Sequence, residues 1–296
     1  WVLDLLSRSE LVERLNNRVV APLSERVDRT MGRLTSATSA TTGGVIGKAL
    51  GALGTLAVAA TIGAALYGSV LAIGLISELG LQEWLLILVA ASATFLRVVA
   101  ALVLALAWTL PLGVAIGTNP RLASRLLPAV QIAASVPATA LFPILLLVLI
   151  GLAGGLDIAA VLLMLLGTQW YLLFNIIAGA AAIPEDLKYT TESLGIRGFE
   201  RWRSFILPAI FPYLITGLIT ATGGAWNASI VAEYVTFAGE VQQTLGLGAL
   251  IAASSEAGDF ALLLASTLAM IAIVVMINHF FWRRLYRVAG ARFRLE

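Results

Sequence analysis

The sequence predicts an all-α integral membrane protein with about six transmembrane helices and both termini in the cytoplasm. Three observations carry that prediction. Hydrophobic residues make up 59% of the 296 positions and charged residues only 12%, with a mean hydropathy of +0.94. A soluble domain carries roughly 25% charge, so a soluble enzyme is excluded. Uncharged runs near the ~20 residues needed to cross the hydrocarbon recur along the chain. Lys and Arg gather on alternate connections between those runs. The absence of cysteine excludes disulfides and thiolate metal sites, and the single histidine, His279, excludes a multi-histidine site. No catalytic residues, cofactor or metal are expected in this chain, because no carboxylate pair lies within a span and no triad can be assembled.

The first element is 10–34, where Leu11, Leu15, Val19, Leu23, Val27 and Met31 recur every fourth residue and Arg and Glu occupy the other face. It reads either as an interfacial helix or partner contact, or as a helix that only caps the bundle. The stretch 35–44 (TSATSATTGG) reads as a linker. Residues 1–46 are therefore expected to form a cytoplasmic amphipathic helix and linker, and 47–296 the transmembrane domain. Charge studs 1–34, so no signal peptide is read there. The first residue is Trp1, which leaves a longer parent polypeptide open.

The expected spans lie near 49–77, 98–117, 127–151, 158–183, 206–232 and 260–282. Trp84–Gly117 would reach about 50 Å as one helix, so 83–97 is expected to lie on the membrane surface with a junction at Arg97. Arg97 then reads as a snorkelling side chain at the outer interface, in preference to a substrate contact. All of the 19 Lys and Arg except Arg97 fall on one side, with Glu78, Glu83, Asp157, Glu233, Glu240, Glu256 and Asp259 on the other. Gly47-Lys48 lacks the upstream glycine and the following hydroxyl of a phosphate loop. Gly43, Gly47 and Gly51 are spaced instead for close helix packing, and Gly246 and Gly248 read as turn glycines.

Polar side chains within spans are few: Gln169, Asn175, Thr216, Thr220, Thr222 and Asn227, with Glu233 at the outer end of span five. They are the pathway candidates, although most hydroxyls are expected to bond the carbonyl one turn back. Asn227 and Glu233 cost more to bury and are expected to form an interhelix bond or an outer gate. Pro137 and Pro143 each remove a helical hydrogen bond and should kink span three.

The most informative segment is IPEDLKYTTESLGIRGFERWRSFILPAIF, residues 183–211. Pro184 ends span four, and Glu185 and Asp186 favour a helix start. Gly195 interrupts, and Arg197–Arg203 leads into Leu207-Pro208, so two short helices with a bend at Gly195 are expected. This segment resembles the coupling loop of permease subunits of bacterial binding-protein-dependent ABC importers. The family pattern is Glu-Ala-Ala, three residues, Gly, nine residues, Ile, one residue, Leu-Pro. Gly195 and Leu207-Pro208 match it in spacing, whereas Phe205 takes the Ile place and Tyr189-Thr190-Thr191 the Glu-Ala-Ala place. Leu96-Arg97-Val98, Pro111-Leu112-Gly113, Ala225-Trp226, Val231-Ala232-Glu233 and Gly246-Leu247-Gly248 add a resemblance to the nitrate/sulfonate/taurine branch over about 84–290.

The resemblance implies a type I importer fold in the bacterial inner membrane. It implies two permease copies or homologous halves, two cytoplasmic ATPase subunits that hold the ATP and Mg, and an external substrate-binding protein. Membrane lipid surrounds it, and no nucleic-acid partner is expected. By the same resemblance, the ATPase would be met by Glu192, Ser193, Leu194, Gly195, Ile196, Arg197, Arg201, Leu207 and Pro208. The solute would be a small oxyanion or sulfonate. The competing reading is a secondary transporter or channel, which would need ionisable residues at mid-span.

Overall fold

The computed structural model describes residues 46–292, with side chains over 56–290. The expected helix over 10–34, the linker and Gly43 lie outside the described residues. By packing, the chain divides into Trp1–Leu71 and Ala72–Glu296. Of the first unit the structure describes the start of α1 (Ile46–Ser77), apolar and long enough to cross a membrane.

In the second unit α2 runs unbroken from Leu81 to Thr118, which corrects the expected surface helix over 83–97. No Gly or Pro interrupts the helix before Pro111, and Arg97 is buried against protein partners rather than reaching for the interface. Asn119 closes α2 and starts α3 (Pro120–Ala134), its side chain accepting from the N–H groups of Arg121 and Leu122. This is the capping role that favours Asn at a helix start.

Span three is broken rather than merely kinked. α3 and α4 (Ala138–Leu149) meet at 77° across Ser135–Pro137. Pro137 has no N–H to continue the ladder and disfavours helical geometry in the residue before it. Pro143 sits inside α4 and does not break it.

α5 (Gly155–Ala181) packs between α2 and α7 (Gly198–Glu233). One core cluster joins Val98 and Ala101 of α2 to Leu163 and Met164 of α5 and Trp226 of α7. A second joins Ala105, Leu172, Ile176, Ile210 and Leu214. Helices in lipid approach most closely where side chains are small. A β-carbon on Gly113 would stand 2.7 Å from the Ile176 side chain, and one on Gly179 2.8 Å from Tyr213.

Between α5 and α7 lies α6 (Glu185–Ser193). The second expected short helix is not separate: it is the first part of α7, joined to the span through a π-helical stretch, Trp202–Ile206. The looser stretch immediately precedes Leu207-Pro208, where a missing N–H leaves a carbonyl without its usual donor.

Beyond α7 a hairpin that the sequence reading did not anticipate pairs β1 (Tyr234–Phe237) with β2 (Glu240–Gln243), Tyr234 opposite Gln243. Its turn, Ala238-Gly239, has positive φ at both residues, as a type I′ hairpin turn requires. α8 (Leu247–Ala257) follows, then α9 (Phe260–Gly290), whose start is capped by Asp259. Among the described residues five helices are long and apolar enough to cross a membrane, or six if α3 and α4 count as one span.

Candidate functional site

At one end of the α2–α5–α7 packing, charged residues from distant segments meet. Arg97 of α2 donates through Nε (3.0 Å) and Nη2 to Asp157 at the start of α5, and through Nη1 (2.8 Å) to Glu233 at the end of α7. Nη2 also reaches the Thr244 hydroxyl at 2.9 Å. The Glu233 side chain is fully buried and that of Arg97 nearly so, whereas Asp157 is half exposed. A buried carboxylate needs its lone pairs filled as well as its charge balanced. Glu233 also accepts from the Thr94 hydroxyl at 2.8 Å and from the Gly248 N–H at 2.9 Å. Thr94 in turn accepts from the Leu247 N–H, so the first turn of α8 is anchored on this cluster.

The cluster explains two glycines. Gly246 has extended backbone (φ −177°), which any residue adopts, so it is no turn glycine. A β-carbon there would overlap the Glu233 carboxylate, and one on Gly248 would overlap the Ser229 carbonyl. Both are close-approach glycines, which corrects the turn assignment. Arg97 is corrected likewise, from snorkelling cation to the centre of a buried network. The signal was present in the charge inventory, because Arg97 is the single basic residue on the acidic side and Asp157 and Glu233 border apolar spans.

At the other end of the α5–α7 pair, α6 starts after Pro184 and closes at Gly195. The Gly195 N–H bonds the Glu192 carbonyl, and the Ile196 N–H bonds the Thr191 carbonyl at 3.2 Å. That pair of bonds is the Schellman closure, and it needs the left-handed φ of +69° that Gly195 has. Apolar side chains are left uncovered here: Leu194 is 70% exposed, Phe199 79% and Tyr189 66%. Glu192, Ser193 and Arg197 are exposed, Ile196 and Leu207-Pro208 partly covered. The Arg201 Nε is buried with no acceptor among the described residues.

A third feature runs along α7. Tyr213, Thr216, Thr220, Asn227 and Val231 are exposed at intervals of three, four or seven residues, which places them on one face. Asn175 of α5 adjoins this face, its β-carbon beside Gly217. The expected local bonds are present, from Asn175 to the Tyr171 carbonyl, Thr216 to Pro212, Thr220 to Thr216 and Thr222 to Leu218. Asn227 does not form the expected interhelix bond: it is exposed and makes no side-chain bond among the described residues. Gln169 and Thr222 are buried.

Comparison with known proteins fits this arrangement. Residues 109–294 match the family of binding-protein-dependent transport system inner membrane components. The chain belongs to this family. Relatives of this transport family include the nitrate import permease protein NrtB of Leptolyngbya laminosa, 29% identical over 49% of this chain and 50% of its own length. The taurine transport system permease protein TauC of Escherichia coli is 26% identical over 66% of this chain and 67% of its own. The bicarbonate transport system permease protein CmpB of Synechocystis is 32% identical over 42% of each. The chain thus spans about half the length of the first of these relatives. The nitrate, taurine and bicarbonate relatives agree with the branch resemblance carried by the residues.

Proposed function

We propose that this chain is the membrane-spanning subunit of an ATP-driven importer in the bacterial inner membrane. It forms half of the solute path and is driven by a cytoplasmic ATPase pair. The observation that carries the reading is the uncovered apolar tip, Tyr189, Leu194 and Phe199, on a segment that joins two tightly packed spans. Apolar side chains on a tight, charged loop gain nothing from water, and a protein groove is the surface that would cover them. The orphaned Arg201 Nε at the same end supports a partner with acceptors. ATP and Mg belong to the ATPase subunits, and an external binding protein delivers the solute.

The exposed face of α7 supplies the path. Lipid favours apolar contacts, so a stripe bearing Tyr213, Thr216, Thr220 and Asn227 is better matched to water or to a second permease copy or homologous half. The break of span three at Pro137 supports a gating role for that span. The nitrate, taurine and bicarbonate named in the relatives support a small anion as solute.

The test is to assemble the transporter in liposomes with Leu194→Glu and Phe199→Glu. The expected outcome is loss of ATPase co-purification and of ATP-driven uptake, with the chain still folded. Unchanged uptake would refute the coupling assignment. The buried Arg97–Glu233 pair is the kind of residue a secondary transporter uses, so uptake without ATP is measured alongside. Each of these charges is already satisfied within the protein, which favours a structural role, and no ATP-independent uptake is expected.

A further inference from the structure

We propose that the groove between α2, α7 and α9 holds one anionic phospholipid, its phosphate at Arg283 and an acyl chain along the apolar floor. The floor is a cavity of about 420 Å³ whose walls include Val99, Leu102 and Leu106 of α2, Leu218 and Trp226 of α7 and Phe281 of α9. Its one polar side chain, Thr222, spends its hydroxyl on the Leu218 carbonyl at 2.7 Å. A polar solute finds no hydrogen bond there, whereas an alkyl chain needs none.

Two further cavities share lining residues with the floor. Trp226, Ile277 and Trp282 also line a cavity of about 220 Å³, which shares Val275, Asn278 and Trp282 with a third of about 470 Å³. The third presents Asn278, His279, Arg283 and Tyr286. The run therefore changes from wholly apolar to cationic and hydrogen-bonding along α9, which is the outline of an amphiphile rather than of a small ion. No acidic residue lines any of the three cavities, and Arg283 makes no ion pair among the described residues. Basic pockets between spans at this end of a membrane protein suit anionic headgroups.

Two details are local to this wall. Of the buried side-chain donors without an acceptor among the described residues, the indole N–H groups of Trp226 and Trp282 both belong to it. The π-helical stretch Ile277–Trp282 contributes residues to all three cavities. Such stretches re-aim side chains at the cost of regular helix bonding and recur at binding sites.

The experiment needs no transport assay and is independent of the function proposed above. The full chain is reconstituted with equal parts phosphatidylglycerol and phosphatidylethanolamine, washed in detergent, and its retained phospholipid counted by native mass spectrometry. The expected result is one phosphatidylglycerol per chain. Arg283→Glu should lower its retention about tenfold, while Arg284→Glu, outside the three cavities, should not. Val99→Trp, which fills the floor, should reduce retention of either lipid, and added phosphatidylglycerol should raise the melting temperature of the natural chain but not of the Val99→Trp chain. Retention of both lipids in the proportions supplied, or equal retention by the Arg283→Glu chain, would overturn the proposal. So would a groove closed to lipid by a second copy of the chain.

Discussion

The two ends of the α5–α7 pair solve opposite problems. At one end Arg97, Asp157, Glu233, Thr94 and the α8 amides satisfy one another, with glycines at 246 and 248 shaved to fit. At the other, α6 and the start of α7 leave Leu194 and Phe199 bare and Arg201 short of an acceptor. The first end is complete as it stands, and the second is built as though something else completes it. Self-sufficiency at one end and deficit at the other, on the same two helices, separates structural from contact residues better than residue type does.

The largest effect should come from Arg97→Ala, which strands the buried Glu233 carboxylate. Breaking such a pair by removing one partner costs about 3–5 kcal/mol, read as a large fall in melting temperature in detergent. A shift near zero would mean the network does not hold this end together. Next comes Gly248→Ala, whose β-carbon must displace the Ser229 carbonyl and should cost roughly 1–3 kcal/mol. Gly223→Ala, with open space around it, is the matched control and should be neutral. At the opposite end Gly195→Ala forces a left-handed residue to carry a side chain, costing about 1–2 kcal/mol. Under the proposed function it should lower ATP-driven uptake more than its stability loss explains. The smallest effect is expected for Asp157→Asn, since a half-exposed partner contributes at most about 1 kcal/mol. If Asp157→Asn matched Arg97→Ala, the inequality between the two acids drawn from burial would be wrong.

What could be read from the sequence was local. Pro137 breaks span three because it has no N–H, and Gly195 turns the chain because it tolerates positive φ. Gly195 needs no knowledge of its neighbours, whereas Pro111, Pro143 and Pro212 lie inside helices, so a missing N–H breaks a span only where the surroundings allow it. The threonine back-bonds were legible because each closes within four residues. The network around Arg97 is legible only as a lone cation on the acidic side; its pairing is not, because its partners lie 60 and 136 positions away. The break expected in α2 rests on length, about 50 Å against ~30 Å of hydrocarbon; the helix runs through because its first half is buried against protein at Thr94, Arg97 and Val98. Asn227 differs in the other direction: an amide is costly to bury, but this one is exposed. The hairpin after α7 is a four-residue pairing too short for its alternation to stand out.

One consequence follows from α7 being continuous over 36 residues, from Gly198 beside the bare loop to Glu233 in the charged network. At 1.5 Å per residue it is a strut of about 54 Å. Two features interrupt its regular hydrogen bonding, the π-helical turn before Leu207-Pro208 and Pro212, which has no N–H to give. A push at Gly198 is either spent at these two places or arrives at the far tip, so the stiffness of Trp202–Ile206 and of the turn around Pro212 sets how faithfully one face of the membrane hears the other.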